Sequence, residues 1–485
     1  MSAEEIIPYL VIAAYLLCTL AVGIIGYKNK PNTPEDYFVA DRNLGPIVLF
    51  FTLIATNFSA FTFLGFSGAG YRIGISYYAM ISLGTAFVSI TFYFIGYKVW
   101  LLGKEHRLIT PSELIENRLP SQPLKLLFLA VMVIFTIPYL TLQPIGGGYI
   151  LEGLTGGQIP YFTGAAFLTF IIVCYVFLGG MKSVALTDLL QGVLMLVLVL
   201  VALGAIAYNL GGIWEANRAV YELKPALLSR QGANNFFTPH KWFSFMLLWG
   251  LSVPMFPQMF VRFYTPKTAN ALKISAILYP LITAVMFSAP VLIGMWGNIA
   301  FPELTGKAAD VIFPMMLAEY TSTGIAALVM VGAMAAFMST LDSQLLALSS
   351  MITRDIYTAY FRRDASLKEQ TIVGRVFIVI LAVIGLAIAA NPPDTIAAIA
   401  TQAFTGLAVL FPTVIAALYG KNISPLSCII SILVGELMVV GFWLKIIPPS
   451  LTFGFLPVVP VVGISSLIIV LFAALNSRKS RETTD

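Results

Sequence analysis

The residues that most clearly suggest a functional site lie in the stretch Ala335–Gln344, at the end of an uncharged run over Tyr320–Leu341. A run of that length can cross a bilayer as a helix. A helix places on one face the residues at i, i+3, i+4 and i+7, which here are Ala336, Ser339, Thr340 and Ser343. Asp342 lies on the shoulder of that face. Oxygen atoms in a row at membrane depth suit a hard cation that has lost its water.

The same side chains allow a second interpretation, because Ser and Thr hydroxyls also bond across helices or back to their own helix carbonyls. A single hydroxyl would favour that interpretation. Three hydroxyls and an acid within five residues favour an ion site, and the stretch therefore predicts one.

The elements that must position this stretch are membrane helices. Of the 485 residues, 59% are hydrophobic and 11% are charged, and the mean hydropathy is +0.89, far from the values of a soluble domain. The three cysteines form no ligand spacing, and the two histidines lie in predicted loops. That leaves no residue set for a catalytic triad or a hydrolytic metal site. The chain is predicted to be an all-α polytopic membrane protein and not an enzyme.

Uncharged runs predict about thirteen transmembrane helices in one membrane domain, residues 1–485. They lie near residues 6–27, 46–71, 74–101, 126–148, 158–180, 184–209, 241–262, 272–300, 322–353, 373–392, 395–419, 424–444 and 455–476. With the N-terminus outside, 21 of the 28 basic residues fall on the inner side and 7 on the outer side. Because the inner side of a membrane protein carries the excess of Lys and Arg, the N-terminus is predicted outside and the C-terminus in the cytoplasm.

Two of these spans carry features that interrupt helices. The second holds small and polar residues over Ala55–Thr62, followed by glycines, and the seventh holds Pro254 and Pro257. Proline removes a backbone donor and clashes with a preceding carbonyl. The breaks are five spans apart, so two halves containing them would be inverted in the membrane, as in secondary transporters that bind substrate near the midplane. For the second span, tight packing of small residues is an equal alternative.

Besides Asp342, two more acids lie inside predicted spans. Asp188 lies about one turn inside the sixth span, where it is either a helix-start acid stabilised by the helix dipole or a station on an ion exit path. Glu436 lies in the apolar twelfth span, where an acid costs about 2.5–3.5 kcal/mol on insertion scales. For Glu436 a structural or protonated role is expected.

Four stretches taken together resemble the sodium:solute symporter family, which includes carriers of proline, pantothenate, monocarboxylates and sugars. They are Tyr37–Arg42, Ala55–Ser59, Gly179–Gln191 and Ala336–Ser343. The resemblance implies a leucine-transporter-type fold with five-plus-five inverted repeats and broken helices. It divides the chain into a leading helix at 6–27, repeats at 46–209 and 241–419, and two trailing helices at 424–476.

The resemblance also implies ligands for sodium, the coupling ion and only cofactor expected. The ion would be bound by backbone carbonyls and by two side chains, namely those of Ala55, Phe58 and Ala336 and those of Ser339 and Thr340. Some members hold a second sodium, and the matching positions here are Asp188, Asp342 and Ser343. Asp342 is an acid where the family has a hydroxyl, so a second sodium, a proton and an exit path without a second ion all stay open.

Substrate is expected beside the two breaks, among Asn57, Ser59, Phe61, Thr62, Trp249, Ser252 and Phe256. Proline carriers have an aspartate at the position of Asn57, and sugar carriers have Glu and Gln at those of Phe61 and Thr62. A sugar needs several hydrogen-bond partners, so Phe61 argues against a hexose. The segment Pro257–Phe263 resembles the monocarboxylate and pantothenate branch. No Lys or Arg lies among these residues, so a substrate carboxylate would need the N-terminus of a half-helix.

The predicted function is a sodium-coupled symporter that imports a small organic solute by alternating access. A monocarboxylate or pantothenate-like acid is the first choice, and a proline-type amino acid is the alternative. A solute or ion channel is a rival from another class, but the sequence has no carbonyl-filter motif. A transporter-like sensor would need an output domain, and only a short polar tail follows Asn476. The expected partners are the solute, sodium and the lipid of the plasma membrane, with no nucleic acid and with a monomer as the functional unit.

Overall fold

The computed structural model describes residues 3–28 and 33–482, and these contain no β-strand. Their α-helices are, in chain order, α1 (Ala3–Lys28), α2 (Pro34–Val39), α3 (Pro46–Asn57), α4 (Phe66–Ile73), α5 (Ser76–His106), α6 (Pro111–Arg118), α7 (Gln122–Leu154), α8 (Tyr161–Asn209), α9 (Ile213–Leu223), α10 (Pro239–Ser252), α11 (Pro257–Arg262), α12 (Ala269–Ala300), α13 (Ile312–Tyr320), α14 (Thr323–Met351), α15 (Leu367–Ala389), α16 (Ile396–Ala408), α17 (Phe411–Tyr419), α18 (Pro425–Trp443) and α19 (Val458–Glu482).

Ten helical segments in the described part of the chain are long and apolar enough to cross a membrane. An eleventh crossing is a bent pair, Pro46–Asn57 with Phe61–Ile73. The two other predicted spans correspond to the shorter apolar helix Tyr161–Phe177 and to α10 followed by α11. The all-helical, multi-pass architecture is as predicted, and the division into repeats stays a prediction.

Several residues assigned to the predicted inner loops lie in helices, and two of them, Lys125 in α7 and Arg262 in α11, are buried. Arg262 ends α11 and its side chain is fully buried, so counting it as a solvated loop charge was wrong. The apolar run that precedes it continues into the protein interior and not into a loop. Lys30, also among the inner charges, lies outside the described residues.

The first predicted break is present in the second span. The helix α3 ends at Asn57 because Phe58 is extended, with φ −83° and ψ 121°. The chain returns to helix through a π turn, Phe61–Gly65, and continues as α4, with a bend of 57° between the two parts. π turns inside helices are frequently found at functional sites. The span is therefore interrupted rather than a continuous, tightly packed helix.

The second predicted break is present in the seventh span. The helix α10 gives way to one 3-10 turn, Val253–Met255, which contains the first of the two prolines. Phe256 is extended, with φ −62° and ψ 131°. Pro257 then begins α11, at a position where a missing N–H leaves no helical bond unmade.

The helix α14 lies in the centre of the bundle. In the span that contains α14, 83% of the most apolar 18 residues are buried inside the protein, whereas in the span formed by α19 the share is 22%. Every residue from 329 to 351 is buried, and the main neighbours of the helix are α8, α7 and α1. The hydroxyls and the acid of α14 therefore face protein and not lipid.

Glycines let the half-helix α4 approach α12 closely. A Cβ atom on Gly70 would lie 2.4 Å from the carbonyl oxygen of Val291, and one on Gly294 would lie 1.9 Å from that of Ser67. A side chain at either position would force the helices apart. Close packing therefore fixes α4 after the break.

The two ends of the bundle differ. Residues 210–238, between α8 and α10, fold over one end, where the Leu227 carbonyl accepts from the Ile75 N–H at 2.8 Å. We call this end the long-loop side. The helix α4 ends there, whereas the start of α3 and the end of α11 lie toward the opposite end.

Candidate functional site

The break after α3 releases the backbone carbonyls of residues 55–57. In a continuous helix the N–H groups of residues 59–61 would bond them. Those N–H groups instead donate to side-chain acceptors, which are Thr62 Oγ1 (3.3 Å), Gln143 Oε1 (3.1 Å) and Ser59 Oγ (3.2 Å), respectively. The carbonyls are thus free to bond elsewhere without leaving their former donors unpaired in the membrane interior.

Two hydroxyls of α14 meet the released backbone. Ser339 Oγ donates to the Ala55 carbonyl at 2.8 Å and lies 3.2 Å from the Ala336 carbonyl. Thr340 Oγ1 donates to the Phe58 carbonyl at 2.8 Å. All five residues are fully buried. The structure therefore brings together every position expected for the main sodium site.

This donor set consists of neutral oxygen atoms, three from carbonyls and two from hydroxyls. A cation entering it would replace the hydroxyl-to-carbonyl bonds, because each hydroxyl can turn a lone pair toward the ion. Hard cations take oxygen ligands, and a set without a carboxylate suits a monovalent ion better than a divalent one. Sodium fits these residues. In the described ranges no group of three or more His, Cys, Asp and Glu side chains could hold another metal ion.

A buried polar cluster continues from this set toward the end opposite the long-loop side. Thr56 Oγ1 lies 3.2 Å from Ser343 Oγ. Arg262 Nη2 donates to Ser343 Oγ at 2.5 Å and to Asp188 Oδ2 at 2.8 Å. Thr52 Oγ1 accepts from Arg262 Nε at 2.9 Å and donates to Asp188. Since Arg262 and Asp188 have no exposed area, the ion pair closes this route.

The third residue expected for a second cation or exit path belongs to the same cluster. Asp342 accepts from the Tyr175 hydroxyl at 2.8 Å and from Ser343 Oγ at 3.0 Å. Asp188, Asp342 and Ser343 therefore lie together. The expected set lacked Arg262, whose guanidinium bonds two of these three residues.

A small cavity lies beside the break on the other side of the released carbonyls. It is lined by four of the residues expected for substrate, which are Asn57, Phe61, Thr62 and Trp249, and by Phe66, Ile81, Val88, Tyr139, Val253, Tyr279, Phe287 and Phe404. Its volume is about 20 Å³, which accommodates about one water molecule. A solute can enter only when these aromatic rings move apart.

Three expected substrate residues do not line this cavity. Ser252 Oγ donates to the Leu248 carbonyl of its own helix. Ser59 Oγ lies 2.8 Å from the Tyr139 hydroxyl, and the Phe256 ring packs at 4.8 Å from the Tyr139 ring. Ser59 and Phe256 thus support a lining residue, whereas Ser252 is bonded within α10.

Sequence reasoning missed three residues that shape these sites. Gln143 accepts the Ala60 N–H at the break. The sequence could have pointed to this residue, because it is the only amide between two prolines of an apolar run. Arg262 closes the buried cluster, and the absence of other charges from Trp242 to Phe263 was its signal. Tyr279 lines the central cavity, and nothing distinguishes it in sequence from other membrane tyrosines.

The acid of the twelfth span lies apart from these sites. Both carboxylate oxygens of Glu436 are buried and lack a hydrogen-bond partner within residues 3–28 and 33–482. The structural or protonated role expected for Glu436 stays a prediction.

Solved structures support the interpretation of the fold. A Na⁺-coupled sialic acid symporter, solved in a substrate-bound outward-open state, aligns with a TM-score of 0.79 and 18% identity over 97% of this chain and 98% of its own. This likeness shows a fold of the leucine-transporter type, and the two interrupted helices packed against a central buried helix agree with it. The model of the sodium:solute symporter family matches residues 37–435, and the chain belongs to that family.

Characterised relatives extend over almost the whole chain. The sodium/pantothenate symporter of Escherichia coli (strain K12) is 28% identical over 447 residues, which is 90% of each protein. The sodium/proline symporter of Staphylococcus aureus (strain NCTC 8325 / PS 47) is 28% identical over 488 residues, covering 97% of this chain and 93% of the relative. The protein is therefore a sodium-coupled solute symporter and not an enzyme, and its partners include sodium and a small solute.

Proposed function

We propose that this symporter imports a small organic acid, a monocarboxylate or a pantothenate-like acid, across the cell membrane together with sodium. The N-terminus and the long-loop side face outward, and the C-terminus lies in the cytoplasm. The functional unit is a monomer. Sodium binds at Ala55, Phe58, Ala336, Ser339 and Thr340, and it leaves past Asp188.

The observation that carries the choice of an acid is a hydrogen-bond donor left over in the central cavity. Asn57 Nδ2 donates to the Tyr279 hydroxyl, whose own proton has no acceptor among the described residues. If the amide is turned the other way, Tyr279 donates and the Asn57 NH₂ group is left over. In both cases a neutral donor faces the solute, and a carboxylate oxygen is the acceptor that gains most from it.

The lining of the cavity adds to this argument. None of the cavity-lining residues is charged, so the solute does not face an acid that would repel its carboxylate. The N–H groups at the first break, where the sequence predicted that a half-helix N-terminus would bind a substrate carboxylate, already donate to side chains. The leftover donor therefore takes the place that the sequence assigned to a half-helix terminus.

Sodium acts in two ways: its gradient drives transport, and its binding favours one conformation of the carrier. An ion between α3 and α14 ties the interrupted helix to its neighbour, so it stabilises the state in which the cavity faces outward. One sodium ion moving down a tenfold gradient and about 100 mV has roughly 3.7 kcal/mol available. An anionic solute moving inward costs about 2.3 kcal/mol against the same potential, so about 1.4 kcal/mol remains per sodium ion, which suffices for roughly tenfold accumulation of the acid. A solute without net charge would reach roughly several-hundred-fold accumulation.

The test is uptake of radiolabelled carboxylates and amino acids into proteoliposomes, with and without an inward sodium gradient. We expect sodium-dependent uptake of a carboxylate, and at least tenfold weaker apparent affinity in the double variant Asn57→Leu with Tyr279→Phe, because both groups that can supply the donor are then lost. Tyr161→Phe is the matched control, since that hydroxyl donates to the Ala389 carbonyl far from the cavity. Uptake of no acid, or unchanged affinity in the double variant, would contradict the proposal.

A proline-type amino acid is the second candidate, and one observation favours it. The ring centroids of Phe61, Trp249 and Phe404 lie within 6.3 Å of one another in the cavity wall. The faces of aromatic rings attract an ammonium group. The same uptake screen separates the two candidates. Counterflow of preloaded solute excludes a channel, because only a carrier exchanges solute across the membrane by alternating access.

A further inference from the structure

A second and much larger cavity opens on the long-loop side. Its volume is about 660 Å³, and it lies between α7, α16 and α18, with the ends of α4 and α10 at its rim. The wall is mainly apolar and includes the rings of Phe135, Phe236, Phe245 and Trp443. The helices α4, α5, α7, α10 and α16 contribute residues to both cavities, but no residue lines both.

Arg72 is the only charged side chain lining this cavity in the described part of the chain. Its Nη1 makes both of its hydrogen bonds, to Asp310 Oδ1 at 3.0 Å and to the Gly306 carbonyl at 2.9 Å. Its Nε and Nη2 have no hydrogen-bond partner among residues 3–28 and 33–482. The guanidinium therefore presents two unused N–H-bearing nitrogens beside an apolar cavity.

Asp310 fixes the arginine in this orientation. Its side chain is only 2% exposed, whereas that of Arg72 is 22% exposed. Its second oxygen accepts from the Ile396 N–H at 2.8 Å, at the start of α16. Because Asp310 is bonded on both oxygens and buried, it holds one edge of the guanidinium and leaves the other for a ligand.

We propose that this cavity is a second binding site, for a small organic anion with an apolar body, and that Arg72 anchors the anion. Two parallel N–H donors match the two oxygens of a carboxylate. Because Asp310 already balances the charge of Arg72, an inorganic anion gains little there, and the apolar wall supplies the remaining affinity. The proposal concerns this cavity alone and holds whichever solute the central cavity takes.

The experiment measures quenching of tryptophan fluorescence by 6-bromohexanoate in the purified full-length protein. Trp443 lines the cavity, and bromine quenches tryptophan only at close range. We expect saturable quenching that is largely lost in Trp443→Phe. The alcohol 6-bromohexan-1-ol, which has the same chain without the charge, should bind at least tenfold more weakly. Equal quenching by acid and alcohol, or undiminished quenching in Trp443→Phe, would overturn the proposal.

Two variants separate anchoring from structural support. Arg72→Gln should raise the half-saturating concentration of 6-bromohexanoate at least tenfold. Asp310→Asn breaks the same ion pair but leaves the guanidinium, so binding should stay equal or become tighter. Equal weakening by both variants would show that the ion pair only supports the wall, and it would refute the role of Arg72. Arg218→Gln is the control, because Arg218 lies on the surface and pairs with Glu222.

The result is independent of the sodium site. Ser339→Ala with Thr340→Ala should leave quenching unchanged, because neither residue lines the cavity. Failure of the uptake screen with intact quenching would refute the proposed solute and leave this site standing. Sodium-dependent uptake of a carboxylate with no quenching in the wild type would refute this second site and leave the proposed solute standing.

Discussion

Removal of the two hydroxyls of α14 tests the sodium site most directly. Ser339→Ala and Thr340→Ala each delete one oxygen of the donor set and leave the carbonyls of Ala55 and Phe58 in place. Neither change adds volume or charge to the buried helix. The expected effect is therefore a loss of cation affinity with the fold retained.

The magnitude follows from the number of ligands removed. A hydrogen-bonding oxygen that contacts a charged group contributes about 1.5–3 kcal/mol, so each substitution should weaken sodium binding roughly 10- to 150-fold. The double variant should lose at least about 100-fold, even if the two effects are less than additive. At a sodium concentration of 100 times the wild-type Kd, the ion stabilises the wild type by about 2.7 kcal/mol. A 100-fold higher Kd reduces that to about 0.4 kcal/mol.

The assay is unfolding of the purified protein in sodium and in potassium at equal ionic strength. It needs no knowledge of the solute. The wild type should unfold at a higher temperature in sodium, and the double variant should unfold at nearly the same temperature in both salts. Ser350→Ala is the matched control, because this buried hydroxyl of the same helix donates to its own Ala347 carbonyl at 2.7 Å.

The refuting result is specific. If the double variant keeps the full stabilisation by sodium while Ser350→Ala behaves like the wild type, the ion does not bind between α3 and α14. A general loss of stability in both salts would not produce that pattern, because the difference between salts is what is measured.

Three further predictions concern the surroundings of the site. Gln143→Leu leaves the buried Ala60 N–H without its acceptor, which should lower the free energy of unfolding by about 1–3 kcal/mol and weaken stabilisation by sodium in the same assay. Arg262→Gln or Asp188→Asn alone leaves a buried charge unpaired and should destabilise by about 3–5 kcal/mol, whereas the double variant should lose much less than the sum in a double-mutant cycle. Burial raises the pKa of Asp310 above its ordinary value of 3.8. Near and above that pH the native state holds a proton that the unfolded state releases, so wild-type stability relative to Asp310→Asn should fall as the pH rises above 3.8 in unfolding titrations.

Much of the architecture could be predicted because the bilayer restricts what a chain can do. Backbone N–H and C=O groups must be hydrogen-bonded within the segment that crosses the membrane, so a long uncharged run predicts a helix. Pro254 and Pro257 predicted a break because proline cannot donate to a helix, and the chain is interrupted there. Ser339 and Thr340 share a face because of helical periodicity alone.

Helical periodicity could not predict which oxygen atoms of different helices lie next to each other. Ser339 and Ala55 are 284 positions apart, and no local rule states which carbonyl a hydroxyl will meet. The sodium residues were expected through resemblance to a family. The part played by Gln143 in diverting a backbone donor had no counterpart in that resemblance.

The sequence alone predicted a chain of apolar helices, a break at the two prolines of the seventh span, and a stripe of oxygens on one helix. For the second span it left a break and tight packing equally open. Only the packing of the helices shows that Arg262 lies inside the protein beside Asp188, although both residues come at the ends of apolar runs. The packing also brings Tyr279, and not Ser252, to the central cavity. Periodicity fixes only the direction in which a side chain leaves its own helix, whereas the partners of that side chain depend on how distant helices pack together.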